Sequence, residues 1–138
     1  VDIYLPDAKY ADDAVAREIS GFDGYVEANR AALLEIRHQV TAVLQVRADG
    51  IAYRGMIVRH LVLPEGLSQT PQVLAWIAEN LGRETYVSLM AQYFPAHRAV
   101  GHPQLGRRLY RREYRVALDA LDTLGMGNGW TQELDRVY

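Results

Sequence analysis

The sequence of 138 residues contains no cysteine, and Lys9 is the single lysine among its 15 basic residues. Without thiolates, the chain alone cannot form a disulfide, use a cysteine nucleophile or hold a metal cluster through cysteine. No apolar run approaches the roughly 20 residues of a membrane helix, and the start lacks the basic and apolar segments of a signal peptide. We therefore expect a cytoplasmic protein without membrane contacts.

The overall composition is that of one folded domain. The formal net charge is -2 and 49% of the residues are hydrophobic. The chain can therefore bury a core, but it has no general attraction for nucleic acid. We predict a single domain over residues 1–138 and no nucleic-acid partner. Because the first residue is Val1 rather than Met, we expect the chain to be a piece of a longer protein.

Short apolar runs alternate with helical patterns along the chain. The runs VDIYL, MIVRHLVL and YVSLMA predict buried strands over 1–5, 56–63 and 86–91. Apolar residues at helical spacing predict helices over 25–40, 70–81 and 114–124, the second with Thr70 as its N-cap. The pair Asp49-Gly50 predicts a hairpin between two further short strands. This order is typical of an α/β protein with mainly parallel strands and flanking helices.

Polar residues follow each predicted core strand, where parallel sheets usually carry their functional groups. The segments are LPDAKY, RHLVLPEG and MAQYFPAH. Successive residues of a strand face opposite sides of the sheet. We therefore expect Arg59 on one face with Ile57 and Leu61, and His60 on the opposite face.

The segments VDIYLPDAKYAD, GMIVRHLVLPEG and YVSLMAQYFPA resemble the last three barrel strands of radical S-adenosylmethionine proteins of the pyruvate formate-lyase activating enzyme-like group. The resemblance covers essentially the whole chain, including the closing GNGWTQEL. It implies a partial (βα) barrel, half of a TIM-like barrel, from which the N-terminal cluster-binding half is absent.

The resemblance also implies an activity for the longer parent protein. In that family, a CxxxCxxC motif holds a 4Fe-4S cluster that binds S-adenosylmethionine, and reductive cleavage produces a deoxyadenosyl radical. Activating enzymes use this radical to take a hydrogen from a backbone glycine of a partner, the glycyl-radical enzyme. Because this chain has no cysteine, we expect it to bind no cofactor or metal by itself and to be inactive in isolation.

Cofactor-binding residues follow from the same resemblance. Asp7 and Lys9 match the Asp-x-Lys of the family, and Arg59 matches a strand arginine that contacts the cofactor. A guanidinium suits this role because its fork of donors clamps a carboxylate or a ribose edge. Where activating enzymes have a histidine after the last strand, this sequence has Gln92 and Tyr93. We assign both to the cofactor site, and this departure leaves the substrate open.

Structural roles are the alternatives for two of these positions. Arg59 could form a buried ion pair with Asp7 or Glu65, and Lys9 could be a solubilising surface residue. His60 is interpreted as a residue that packs in the core.

Two histidines and a basic cluster lie near the last helix. His97 and His102 could be metal ligands, but the sequence offers them no cysteine or clear acidic partner, so we predict no metal site. The arginines at 107, 108, 111, 112 and 115 are interpreted as a solvated face bridged to Glu113 or Asp119.

Two other functions are compatible with the sequence. Lys9, after a barrel strand and beside an acid, could form a Schiff base in an aldolase-like site, which borohydride trapping would detect. Alternatively, the chain could be a non-catalytic module that binds phosphate or nucleic acid through the arginine cluster, although the net charge argues against it.

The predicted strands leave part of the fold open. Three parallel strands cannot close a barrel, which takes about six to eight strands. We expect unpaired outer edges on the first and third strands and one open sheet face, with Trp130 and Gln132 as core and edge residues of a short closing segment. Exposed edges and apolar faces associate, so we predict a homo-oligomer.

Overall fold

Apolar periodicity and local terminators define the helices and strands of the chain. The computed structural model describes residues 2–41 and 43–133. The strands are β1 (Ile3–Tyr4), β2 (Gln45–Val46), β3 (Ala52–Leu61), β4 (Tyr86–Met90) and β5 (Gly129–Trp130). The helices are α1 (Asp13–Ser20), α2 (Tyr25–Gln39), α3 (Thr70–Asn80) and α4 (Arg111–Leu124), and 3-10 turns occur at Pro64–Gly66 and His97–Ala99.

The sheet is mostly parallel, as the alternation of strands and helices predicts. Its strand order is β1-β3-β4-β5, with each of these neighbours parallel, and β2 pairs with β3 antiparallel across the hairpin. The chain is therefore a mixed α/β protein with flanking helices. Among the described residues, no helix is both long and apolar enough to cross a membrane.

One face of the sheet is buried beneath the helices. Its core contains Met56 and Val58 of β3 and Leu89 of β4, all at most 1% exposed. Helices α3 and α4 cover this face with Val73, Leu74, Ile77, Tyr114, Ala117 and Leu121. Burial of each large side chain contributes roughly 1.5–3 kcal/mol to folding.

The opposite face of the sheet is only partly buried. The side chains that alternate with the buried set are Ile57, Arg59, Leu61, Tyr86, Ser88 and Met90, and none of them is in the buried class. Trp130 extends this face and is 53% exposed. The two faces differ because the core residues of the described helices pack against only one of them.

The N-cap residue of α3 differs from the predicted one. The N-cap is Gln69, at φ 52°, so Thr70 is the first helical residue and Pro71 the second. Thr70 is 5% exposed and its hydroxyl bonds to His60 instead of capping the helix. The prediction of Thr70 as N-cap is therefore wrong, because a buried histidine competes for its side chain.

The second arm of the predicted hairpin and the second core strand form one continuous strand, β3. Residues predicted as a separate return strand belong to β3, which runs from Ala52 and ends two residues before the predicted Leu63. Gly55 of β3 allows the backbone of Leu44 to approach closely, since a Cβ at position 55 would lie 3.0 Å from the Leu44 Cα. The other core strands begin and end within their predicted ranges; Val1 lies outside the described residues.

Strand β5 pairs with the edge of β4 that was expected to be open. Gly129 and Trp130 pair with Val87 and Ser88. A side chain at Gly129 would clash, because its Cβ would lie 2.1 Å from the Val87 carbonyl oxygen. The expectation of an unpaired outer edge on the third core strand is therefore wrong for these residues. Leu134, in the closing GNGWTQEL, lies outside the described residues.

Candidate functional site

Asp7 and Arg59 meet at the carboxyl ends of β1 and β3. Beyond β1 the chain stays alongside β3, because the Arg59 N–H donates to the Pro6 carbonyl at 2.8 Å and the Ala8 N–H donates to the Arg59 carbonyl at 2.9 Å. Asp7 and Arg59 thus form a parallel bridge and lie on the same face. The Arg59 Nε donates to Asp7 Oδ1 at 2.7 Å.

This ion pair lies on the partly exposed face of the sheet. The Arg59 side chain is 45% exposed and that of Asp7 is 38% exposed, so the pair is not the buried one considered from the sequence. Within residues 2–41 and 43–133, Nε is the only guanidinium nitrogen of Arg59 that makes a hydrogen bond. The terminal nitrogens therefore remain able to bind a carboxylate or a hydroxyl.

Ser88 continues the row across the sheet. It pairs with Arg59 on one side and with Trp130 on the other. Because paired residues of parallel strands face the same side, Asp7, Arg59, Ser88 and Trp130 cross one face of the sheet in order. Sequence reasoning missed Ser88, although strand alternation from Arg59 and a register for β4 would have identified it.

Helix α2 fixes the segment that carries Asp7 and Lys9. Asn29 donates from Nδ2 to the Asp7 carbonyl at 2.7 Å, and the Lys9 backbone N–H donates to the Tyr25 hydroxyl at 2.8 Å. Burial, followed by the charge of Asp7, raises the pKa of Tyr25, whereas the Lys9 bond opposes this. The Lys9 side chain is exposed, and its ammonium group has no hydrogen bond or ion pair among the described residues.

His60 links the same segment to α3 from the buried face. It is 1% exposed, its Nδ1 lies 2.5 Å from the Ala8 carbonyl and its Nε2 lies 2.8 Å from the Thr70 hydroxyl. A carbonyl only accepts, so Nδ1 carries the proton and the Thr70 hydroxyl donates to Nε2 in the neutral ring. Burial lowers the pKa of His60, although the Ala8 bond opposes this. The chain of bonds continues from Thr70 to Ser68, whose hydroxyl accepts the Leu63 N–H.

Among the described residues, neither Gln92 nor Tyr93 makes a hydrogen bond with Asp7 or Arg59. Gln92 is exposed. Tyr93 donates its hydroxyl to the Leu105 carbonyl at 2.8 Å, and its pKa is raised by burial and then by the nearby Tyr10. Tyr93 lines a cavity of about 600 Å³ to which neither Asp7 nor Arg59 contributes. Of the five predicted site residues, Asp7 and Arg59 are therefore the two whose side chains bond to each other.

The loop after β4 contains His97 and His102, both of which line this cavity. The Nδ1 of His102 accepts the N–H groups of Gln104 and Leu105, at 3.1 and 3.0 Å, so the neutral ring carries its proton on Nε2. In the part of the chain that the structure describes, no group of three histidine or acidic residues could hold a metal ion.

The arginine cluster begins with an ordered network. Arg107 donates to Glu113 and to Glu65, with nitrogen–oxygen distances of 2.8–3.0 Å, and the Glu113 carboxylate also accepts the Glu65 and Tyr110 N–H groups. The predicted bridge from the cluster to Glu113 is therefore confirmed for Arg107, whereas Glu65 pairs with Arg107 rather than with Arg59. The Arg107 side chain is 25% exposed, so it is not a solvated cation.

Left-handed backbone also concentrates at the carboxyl end of the sheet. Glu65, Gln69 and His97 are non-glycine residues with φ between 51° and 61°. They lie in the loops that follow β3 and β4. Such conformations are uncommon for residues with a side chain and cluster at functional sites.

Comparison with known proteins identifies one distant relative. An uncharacterised protein of Methanocaldococcus jannaschii is 28% identical over 120 residues, which cover 86% of this chain and 31% of that protein. The chain therefore spans about a third of the length of this relative. Neither a protein-family model nor a solved structure matches the chain.

Proposed function

We propose that this chain is the C-terminal part of the partial (βα) barrel of a radical S-adenosylmethionine protein, similar to pyruvate formate-lyase activating enzyme. The Asp7–Arg59 pair is the observation that carries this proposal. The pair lies at the carboxyl ends of parallel strands and on the sheet face that helices leave uncovered. A barrel turns this face inward, and barrel sites lie at this end.

The one-sided sheet supports a larger assembly. Parallel strands are normally covered on both faces, yet Ile57, Leu61 and Met90 are partly exposed on this sheet. In the proposed longer protein, the N-terminal half of the barrel covers this face. A relative about three times as long as the matched region is compatible with such an arrangement.

The proposed family implies two bound groups, S-adenosylmethionine and an iron-sulfur cluster, and the residues of this chain fit only the first. The free guanidinium nitrogens of Arg59 would hold a carboxylate or ribose hydroxyl of S-adenosylmethionine, and Asp7 would orient the guanidinium. An iron-sulfur cluster does not fit this chain, because it contains no thiolate. The cluster ligands would come from the N-terminal half. Bound in the longer protein, the cofactor would supply radical chemistry toward a glycyl-radical enzyme or another substrate.

Reconstitution with iron and sulfide tests this proposal in two proteins. The isolated chain should develop no cluster absorbance and should not cleave S-adenosylmethionine. The longer protein should carry a CxxxCxxC motif upstream of Val1, develop the absorbance and cleave the cofactor under reducing conditions. A longer protein without that motif, or a cluster on the isolated chain, would contradict the proposal.

A further inference from the structure

The cavity beside Tyr93 is a second candidate site, separate from the Asp7–Arg59 pair. It occupies about 600 Å³ between α1 and the loop after β4. This volume lies within the range of about 300–1,000 Å³ that is typical of small-molecule sites. Its floor is apolar and is formed by Ile19, Leu63 and Leu105, with the rings of Tyr10 and Tyr93.

The two walls of the cavity carry opposite charges. Glu18 contributes a carboxylate from α1, and Arg98 contributes a guanidinium from the loop. Among the described residues, neither side chain has an ion-pair partner, so the two charges do not neutralise each other across the cavity. A ligand that carries both charges could contact both walls at once.

His102 adds a hydrogen-bond donor to the loop wall. Its Nδ1 is occupied by two backbone N–H groups, so the neutral ring presents a proton on Nε2. Arg98 and His102 thus offer donors to a carboxylate, whereas Glu18 accepts from an ammonium group. Phosphate or a simple carboxylate would leave Glu18 facing an anion, which disfavours both ligands.

We propose that this cavity binds a free α-amino acid with an apolar side chain. The carboxylate of the ligand contacts Arg98 and His102, its ammonium group contacts Glu18, and its side chain lies on the apolar floor. The site is built entirely from this chain, so the proposal does not depend on the radical-enzyme function.

Titration of the isolated chain with L-phenylalanine, followed by backbone amide NMR, tests the proposal. A ligand of this size in an open cavity should bind with a dissociation constant of about 1–5 mM. The shifted amides should lie in α1 and in residues 93–105. N-acetyl-phenylalanine, which loses the ammonium charge, and phenylalaninamide, which loses the carboxylate, should each bind about tenfold more weakly.

Two variants test which wall of the cavity contacts each charge of the ligand. Glu18→Gln should weaken phenylalanine binding about tenfold but leave the binding of N-acetyl-phenylalanine unchanged. Arg98→Gln should likewise weaken phenylalanine binding about tenfold but leave the binding of phenylalaninamide unchanged. Arg83→Gln, at an exposed position outside this cavity, is the matched control. An unchanged amide spectrum elsewhere verifies that each variant is folded.

Three outcomes would overturn the inference. They are an absence of binding at about 20 mM ligand, equal binding of all three ligands, or equal losses for all three ligands in both variants. None of these outcomes bears on the proposed function, because the test of that function measures cluster absorbance and cofactor cleavage in the longer protein.

Discussion

Arg59 and His60 are consecutive residues of β3, yet the Arg59 side chain is 45% exposed whereas His60 is 1% exposed. Both contact the segment that follows β1. Arg59 binds the Asp7 carboxylate from one face of the sheet, and His60 binds the Ala8 carbonyl from the other. The segment is therefore held from both sides of the sheet. We expect the His60 contact to contribute mainly to stability and the Arg59 contact mainly to ligand binding.

Substitution of His60 should mainly affect stability. His60→Gln breaks a fully bonded buried network, so we expect the free energy of unfolding to fall by about 1–3 kcal/mol. Urea denaturation at neutral pH measures this loss. His38→Gln, on the exposed side of α2, should change the stability little.

The same histidine should make stability depend on pH. Burial lowers the pKa of His60 below 6.5 in the folded protein, so the unfolded chain takes up a proton first as the pH falls. Its stabilising contribution is therefore present above pH 6.5 and is lost as the pH falls toward the folded pKa. Denaturation at about pH 7.5 and about pH 5.5 should show a smaller difference in His60→Gln than in the wild type. An identical difference in both proteins would contradict this prediction.

Substitution of Arg59 should mainly affect ligand binding. The Asp7–Arg59 pair is partly exposed, so Arg59→Lys should change the free energy of unfolding by less than about 1 kcal/mol. In the proposed longer protein, the same change should weaken S-adenosylmethionine binding by about 1–3 kcal/mol, because lysine lacks the guanidinium fork. Calorimetry measures the affinity, and Arg54→Lys on the same strand is the control. A large loss of stability with unchanged affinity would instead make Arg59 a structural residue.

The Glu113 carboxylate should stabilise the chain above acidic pH. Burial acts to raise its pKa, but the hydrogen bonds from Arg107 and from the Glu65 and Tyr110 N–H groups outweigh burial and lower it to about 2. The stabilisation is therefore present above the ordinary value of 4.5 and is lost as the pH falls from 4.5 to about 2.

Glu113→Gln tests this contribution. Thermal unfolding near neutral pH should show a loss of about 1–3 kcal/mol, since the amide cannot neutralise Arg107. Near pH 2 the variant and the wild type should converge. Asp119→Asn, on the exposed side of α4, should lose little at either pH. A constant difference across the pH range would show that Glu113 acts through packing alone.

The isolated chain should self-associate through its partly exposed sheet face. This face ends in Trp130, which is 53% exposed, and no described strand pairs with the outer edge of β1. Two copies that cover each other's apolar faces form a closed dimer, the commonest arrangement of identical chains. Sedimentation at micromolar concentration should therefore show a dimer or a larger oligomer.

A matched pair of aromatic substitutions locates the contact. Trp130→Ser should weaken association about tenfold, because a large aromatic side chain contributes strongly to an interface. Phe94→Ser removes an aromatic ring that is 63% exposed in the loop after β4 and should leave association unchanged. A stable monomer with strongly protected edge amides would show that the chain covers its own sheet.

Local signals were sufficient for most of the regular structure. Helix α2 and the end of α4 at Gly125 follow from apolar spacing and a left-handed glycine. Helix α1 was missed because its 8 residues make only about two turns, so the apolar stripe of Val15, Ala16 and Ile19 does not repeat along the sequence. Strand β5 was missed because two residues carry no periodicity; its pairing depends on the fit of Gly129 against Val87.

The sequence by itself determined the alternation of strands and helices along the chain, the opposite orientation of Arg59 and His60 on their strand, and the absence of thiolate chemistry, because these depend on neighbouring residues or on composition. Only the tertiary structure decided that Arg59 pairs with Asp7 while Glu65 pairs with Arg107, and that Thr70 bonds to His60 instead of capping α3. It also decided that Glu18 and Arg98 line one cavity. These partners are far apart along the chain, so their distances depend on how the strands and loops pack, which no local pattern encodes.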